Sequence, residues 1–266
     1  MSSGALSIGD SSTGNFSILN NLILWKSCIT LRHTPLRTLE AQREFADNGF
    51  HNVTFYIADK SSNPIEGCYN SHLNVMKQAL MDGVEYALVF EDDVKFVKDN
   101  PKLQAIQREI KQFITTTPFD IMYLGWCAGY ESFYYNCVRK STKLPGYDFI
   151  YKSNCACTHA VIYSREFMQR FVDEYSEFSG HIDQVFLKIP NIRMYMVVPT
   201  LFDQKWCFST MDYGKSKCVS EKVFNSERFA NYLIYSKQYM GVFGVLIILA
   251  VLFIIGAIQV KSLRTR

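Results

Sequence analysis

Short apolar runs bounded by glycine, proline and polar turns alternate along this chain with stretches whose apolar residues recur every three or four positions. KSCITL at 26–31 reads as a strand, and the turn Arg32-His33-Thr34-Pro35 follows, with Thr34 as N-cap and Pro35 at the first helical position. The helix then runs to about Asn48, with Leu36, Leu39, Phe45 and Ala46 near one face and Gly49 beyond its end. NVTFYIA at 52–58 is a second strand, so the chain opens as a βαβ unit. From Gly67 a second helix carries Tyr69, Leu73, Met76 and Leu80 at helical spacing and closes at Gly83. YALVF at 86–90 is an unbroken apolar run, too short for an amphipathic helix and suited to a buried central strand. A third amphipathic helix is expected over 101–114, with Leu103, Ile106, Ile110 and Phe113 on one side. Strands at 118–125 and 158–163, a helix from Ser164 to about Tyr175, a helix start at His181 and Asp183, and a strand at 194–198 complete the pattern. Residues 126–146 read as a long aromatic loop.

The C-terminal pattern is of another kind. From 238 to 260 there is no charged residue, and 242–258 is almost wholly aliphatic. As a helix, residues 239–260 span about 33 Å, enough for a bilayer core of roughly 30 Å. Lys237 and Tyr239 on one side, and Lys261, Arg264 and Arg266 on the other, suit the two interfaces. The expected organisation is a flexible tail (1–25), a catalytic-type α/β domain (26–225), a juxtamembrane linker (226–237), a transmembrane helix (238–260) and a basic tail (261–266). The split apolar stretch before Lys26 makes a poor signal peptide, which favours a tail-anchored domain facing the cytoplasm. The KSLRTR tail pulls the other way.

Composition narrows the class. With 48% hydrophobic and 15% aromatic residues the chain is not disordered, and a net charge of +3 without a basic stripe argues against nucleic acid as a partner. Eight cysteines in 266 residues do not make a disulfide scaffold. Cys155-Ala156-Cys157 lacks zinc-type spacing; Cys127 with Cys137, and Cys207 with Cys218, could close loop disulfides in an oxidising compartment or remain thiols in the cytosol.

The apolar run at 86–90 leads straight into Glu91-Asp92-Asp93. Adjacent carboxylates at the end of a buried strand repel one another and are costly to desolvate without a cation. Ligands of open α/β sheets bind beyond the carboxyl ends of strands. A hard divalent cation carrying a sugar-nucleotide diphosphate satisfies both conditions; a solvated acidic turn is the plain alternative. On an extended strand Glu91 and Asp93 share a face and Asp92 points the other way.

Taken in order, these segments resemble glycosyltransferase family 25, which includes lipopolysaccharide and procollagen galactosyltransferases. The patches are ITLRHTPLR from Ile29, GCYNSH from Gly67, LVFEDDV from Leu88, FDIMYLG from Phe119, THAVIYS from Thr158, HIDQ from His181 and VVPTLFDQ from Val197. Two departures stand out: Cys157 where the family often has glycine, and a segment between Gly125 and Thr158 that matches nothing. The resemblance implies a type A, Rossmann-like mixed sheet flanked by helices, with Mn²⁺ or Mg²⁺ as cofactor and a UDP-sugar, galactose favoured, as donor. Together with the C-terminal span, it implies a membrane-anchored, inverting transferase acting on a glycan or protein hydroxyl, or else an inactive relative serving as a glycan-binding or adhesion module. In the first case Asp93 is a metal ligand and Glu91 faces the ribose or the metal's water shell, with Asp92 either structural or exchanging roles with them. Asp183 is the candidate base, its alternative being a carboxylate that only stabilises a helix start. Ser71 and His72 are implied in donor binding, Arg32 or Arg37 on the phosphates, and Thr158 and His159 lining the site, with Gln204 as a weaker candidate.

Overall fold

The structure, a computed structural model, describes residues 16–126, 141–153 and 157–205. The chain opens with α1 (Ser17–Leu22), β1 (Lys26–Leu31), α2 (Pro35–Asp47) and β2 (Val53–Ala58), the last three forming the expected parallel βαβ unit. Helix α3 (Pro64–Met81) leads into β3 (Tyr86–Glu91), and a turn at Asp92-Asp93 separates β3 from β4 (Val94–Phe96). Next come α4 (Leu103–Thr116), β5 (Ile121–Gly125), and the short strands β6 (Thr142–Lys143) and β7 (Ile150–Lys152). After β8 (Ala160–Ser164), α5 (Arg165–Glu174) starts on the Ser164 hydroxyl, which accepts from the Phe167 N–H at 3.2 Å. The last described elements are α6 (Ile182–Phe186), β9 (Met194–Val197) and β10 (Phe202–Gln204).

Eight strands form one mixed sheet in the order β2-β1-β3-β8-β5-β9-β7-β6, and β4 pairs with β10 in a separate ribbon. β1 is parallel to β2 and β3; β8 runs antiparallel to both β3 and β5. Side-chain alternation divides the core into two layers. Ala87 and Val89 face a layer built with α3, α5 and α6, whereas Leu88 and Phe90 face one built with α1, α2 and α4. This is the α/β class the apolar pattern predicts.

Several boundaries differ from expectation, each for a visible reason. Residues 16–23, expected within a loose tail, are packed: Phe16, Leu19 and Ile23 are buried. The Gln107 carboxamide oxygen accepts from the Leu19 N–H at 3.0 Å, and the Lys26 ammonium donates to the Ile23 carbonyl at 2.9 Å, so both ends of α1 are satisfied by side chains. Helix α3 begins before Gly67, because Asn63 accepts from the Ile65 and Glu66 N–H groups and Pro64 follows it. Gly67 answers a packing demand instead: a Cβ there would lie 2.9 Å from the Ser61 Cβ. In α2 the buried residues are Ala41 and Phe45, while Leu36 and Leu39 point outward at 73% and 48% exposure. Arg37 lies one turn before Ala41 on the same stripe, so packing Ala41 and Phe45 aims it at the sheet. The span predicted over 238–260 lies outside the described residues, among which no helix is long and apolar enough to cross a membrane.

The β4–β10 ribbon, which the pattern did not predict, is held by aromatic rings. Phe202 is fully buried, with its centroid 4.8 Å from Phe96, 5.2 Å from Phe90 and 5.5 Å from Phe16. Truncating such a ring removes its burial and leaves a cavity. Phe202→Ala is expected to cost about 3–5 kcal/mol in urea unfolding, whereas Leu36→Ala, on the exposed side of α2, should change stability by less than about 0.5 kcal/mol.

Candidate functional site

The carboxyl ends of β1, β3 and β5 meet the start of β8, because antiparallel pairing sets Phe90 and Gly125 opposite Ala160. The Glu91 N–H donates to the His159 carbonyl at 3.1 Å, which fixes the acidic triplet beside the Thr158-His159 segment.

Glu91 is the last residue of β3 and continues the alternation of Val89, so it points toward α3. One of its oxygens accepts from the Thr158 hydroxyl at 2.6 Å and lies 3.4 Å from His72 Nε2. A carboxylate accepts, so Nε2 carries a proton, and His72 Nδ1 lies 3.2 Å from the Tyr163 hydroxyl oxygen. Burial alone would raise the Glu91 carboxyl, but His72 outweighs it, with help from Thr158 and His159, and holds it at about 2.

Asp92 turns to the opposite face, toward α2, accepting from Arg37 and, at 3.0 Å, from the Thr30 hydroxyl. Burial nevertheless raises its carboxyl, with Arg37 and Thr30 opposing. Asp93 departs from the expected alternation because the strand ends at Glu91 and the chain turns. Its Oδ2 accepts from the Gln204 carboxamide at 2.9 Å and lies 3.4 Å from the Arg37 guanidinium; its Oδ1 is buried and has no hydrogen-bond partner among the described residues. Burial and then the Glu91 charge push its carboxyl up to about 7. That orphaned, buried oxygen next to a fixed negative charge is what an oxygen-seeking cation would complete, so the residues fit the divalent metal that the resemblance implies.

Asp183, on the first turn of α6, accepts from the Gln184 N–H at 2.8 Å and from the Cys157 N–H at 3.3 Å. Cys157 has φ 82°, a conformation that favours glycine, which accounts for the family's glycine at this place. Cys157 is also disulfide-bonded. His159 is buried, and burial lowers its pKa; Nε2 donates to the Phe202 carbonyl at 3.3 Å. Gly125 lies directly under it: a Cβ there would collide with the His159 ring and come within 2.8 Å of the Phe202 carbonyl.

Of the residues singled out in the sequence, the structure gathers His72, Glu91, Asp92, Asp93, Thr158, Asp183 and Gln204, with His159 just behind them. Arg32 is not among them: it is exposed and donates to Asp59 at 2.7 Å. Its place beside the acids is taken by Arg37, the other arginine of the same turn. Ser71 is turned into its own helix, donating to the Gly67 carbonyl at 2.7 Å. Thr30, Cys68 and Tyr163 escaped the sequence reading. Cys68 was in view within GCYNSH, one helical turn before His72; Thr30 and Tyr163 had no signal beyond lying in matched strands.

The Asp93 and Glu91 shifts act in opposite directions on stability. Between about pH 4 and about pH 7 folded Asp93 keeps a proton that the unfolded chain has lost, so its contribution falls as pH rises through that window. Glu91 is held low, so its contribution is present above about pH 4 and is lost as pH falls toward 2. Asp93→Asn is therefore expected to raise metal-free stability at about pH 8 by about 1–3 kcal/mol and to flatten the decline between about pH 4 and about pH 7 in urea titrations.

A model of the family described as "Glycosyltransferase family 25 (LPS biosynthesis protein)" matches residues 36–186, which includes Arg37, the acidic triplet, Thr158 and Asp183. No curated protein matches the chain at a significant level. Among solved structures, A197 from STIV is similar at 12% identity and TM-score 0.42, over 67% of this chain and 83% of that one. A glycosyltransferase involved in glycosylation of the major capsid of PBCV-1 is similar at 14% identity and TM-score 0.39, over 70% and 96%. An apo UDP-glucose pyrophosphorylase is similar at 10% identity and TM-score 0.39, over 84% and 86%. With TM-scores this low, the assignment rests on the family match, which spans more than half of the sequence. The chain belongs to glycosyltransferase family 25.

Proposed function

We propose that this chain is a metal-dependent, inverting glycosyltransferase that moves a hexose, galactose by preference, from a UDP-sugar to a hydroxyl of a glycan or protein acceptor. The observation that carries the reading is the Asp93 Oδ1 atom, buried just past the carboxyl end of a central strand and without a hydrogen-bond partner among the described residues. A Mn²⁺ or Mg²⁺ ion held by Asp93, with Glu91 toward its water shell or the ribose, would supply charge neutralisation for the departing nucleoside diphosphate.

The chain's own residues divide the remaining work. Arg37, pinned between Asp92 and Asp93, adds a fixed positive charge beside the position for the diphosphate. Thr158 and His72 keep Glu91 ionised and oriented. Asp183 is the base: its carboxylate, held by the Cys157 and Gln184 N–H groups, takes the proton from the acceptor hydroxyl as the new glycosidic bond forms. Opposite sides of the sugar for base and leaving group give inversion.

A nucleotide-release assay across a panel of UDP-sugars, with and without Mn²⁺, tests the reading. Asp93→Ala should abolish metal-dependent donor binding. Asp183→Asn should lower kcat by about 10²–10⁴-fold while leaving donor affinity within about threefold. Unchanged donor binding and turnover in Asp93→Ala would sink the proposal.

Anchoring by residues 238–260 belongs to the same reading. The disulfide at Cys157 supports a domain in an oxidising compartment, with the KSLRTR tail in the cytoplasm. Deleting the chain from Lys237 onward should release the protein from membranes. In intact cells, a cysteine-blocking reagent applied without reductant should leave Cys157 unmodified; a modified Cys157 would restore the cytoplasmic orientation.

A further inference from the structure

Cys68 and His72 lie four residues apart on α3 and therefore on the same helix face, one turn from each other. Both meet Glu91, which the sheet's alternation turns toward α3. One ligand atom from each of the three residues lies within 4.8 Å of the others, and His72 Nε2 is 3.4 Å from the Glu91 oxygen. Tetrahedral ligands about 2.0–2.3 Å from zinc lie roughly 3.3–3.8 Å apart, so closure needs a movement of about 1 Å.

We propose that Cys68, His72 and Glu91 form a site for a borderline divalent cation of the zinc type, separate from the oxygen-ligand position at Asp93, with the fourth coordination place left to water. Thiolate and imidazole select such ions over Mg²⁺ and Mn²⁺, whereas Asp93 offers only hard oxygen. His72 is immobilised with its second ring nitrogen on the Tyr163 hydroxyl, the kind of outer support that ligating histidines have. Cys68 is a free thiol and half-buried, so an ion can reach it. The electrostatics agree: after burial, the charges of Glu91, Asp183 and Asp93 push the Cys68 thiol up, a surplus of negative charge that a cation removes.

The protonation changes are specific. Coordination sends the Cys68 thiol proton to solvent. His72 Nε2 gives up its proton as it takes the metal, and the proton left on the ring sits on Nδ1, where it donates to the Tyr163 oxygen, the Tyr163 hydroxyl hydrogen turning away from the ring. Because Glu91 would then be a ligand, the Thr158–Glu91–His72 arrangement cannot persist unchanged, and an ion here alters the neighbouring donor site from the side. Thiophilic cations are thereby inhibitors of a hard-metal transferase.

The test uses the full chain with its disulfide intact, stripped of metal by chelation, without sugar nucleotide, so it is independent of the donor reading. Titration with Co²⁺ should produce one saturable thiolate-to-cobalt charge-transfer band in the near ultraviolet, with visible bands of tetrahedral intensity. Zn²⁺ should bleach both, and a large excess of Mg²⁺ should not. Cys68→Ser should remove the charge-transfer band, Cys28→Ser should leave it, and Tyr163→Phe should weaken Co²⁺ binding by about 10–100-fold. Should Cys68→Ser fail to fold, His72→Gln, which removes a second ligand, should weaken Co²⁺ binding more than about 100-fold, beyond the outer-support effect. No thiolate band in the unaltered protein, or a band that survives Cys68→Ser or His72→Gln, overturns the proposal.

Discussion

The Arg37 guanidinium donates to Asp92 and stands 3.4 Å from Asp93, at the point where a buried strand delivers three carboxylates in succession. Three such charges at one strand end are untenable in a low-dielectric setting unless each is answered separately. Asp92 is answered by Arg37 and Thr30, Glu91 by His72 and Thr158, and Asp93 by Gln204 with only partial help from Arg37. The partners come from β1, α2, α3, β10 and the segment before β8. The order of strands and the direction of their pairing are thus tied to one electrostatic requirement. Asp93 is left the least satisfied, and burial together with the Glu91 charge raises its carboxyl.

Local periodicity made most of the fold legible. Leu103, Ile106, Ile110 and Phe113 do form one buried face, and the apolar runs at 86–90 and 158–163 are central, adjacent strands. The failures came where a residue's role depended on another part of the chain. Leu36 and Leu39 looked like core residues at helical spacing, but the sheet accepts the stripe through Ala41 and Phe45. The β4–β10 ribbon joins segments more than a hundred residues apart, and neither strand is long enough to show alternation. Residues 16–23 looked loose because their caps, Gln107 and Lys26, lie outside the segment they satisfy.

The site was legible as an inventory and much less so as an arrangement. Alternation correctly opposed Glu91 to Asp92, since Glu91 closes a regular strand and Asp92 is the first residue past it. It failed for Asp93 because a turn does not carry the period of a strand. Arg32 and Arg37 could not be separated in the sequence; the choice was made by the stripe of α2 that packs on the sheet. Cys157 is instructive in the reverse sense. A departure from the family pattern marked a backbone position with φ 82°, where a residue other than glycine costs about 1–3 kcal/mol. That cost is compatible with a disulfide at the same residue, and the resulting conformation aims the Cys157 N–H at Asp183.

Glu91 is the residue on which the two metal chemistries converge. Its charge raises the Asp93 carboxyl and so opposes ionisation of the group that would hold a hard cation. The same charge lies within 4.8 Å of Cys68 and His72, side chains that prefer a different ion. A carboxylate in this position cannot serve both at full strength: donated to a thiophilic ion, it loses the hydrogen-bond geometry with Thr158 and His72, and its field at Asp93 weakens. Asp93 would then ionise more readily while losing the neighbour that the proposed function turns toward the ribose or water shell. Affinity for a hard metal and competence for transfer therefore need not change together when the α3 side of the site is occupied. A variant that leaves Asp93 intact but alters Cys68 separates the two effects.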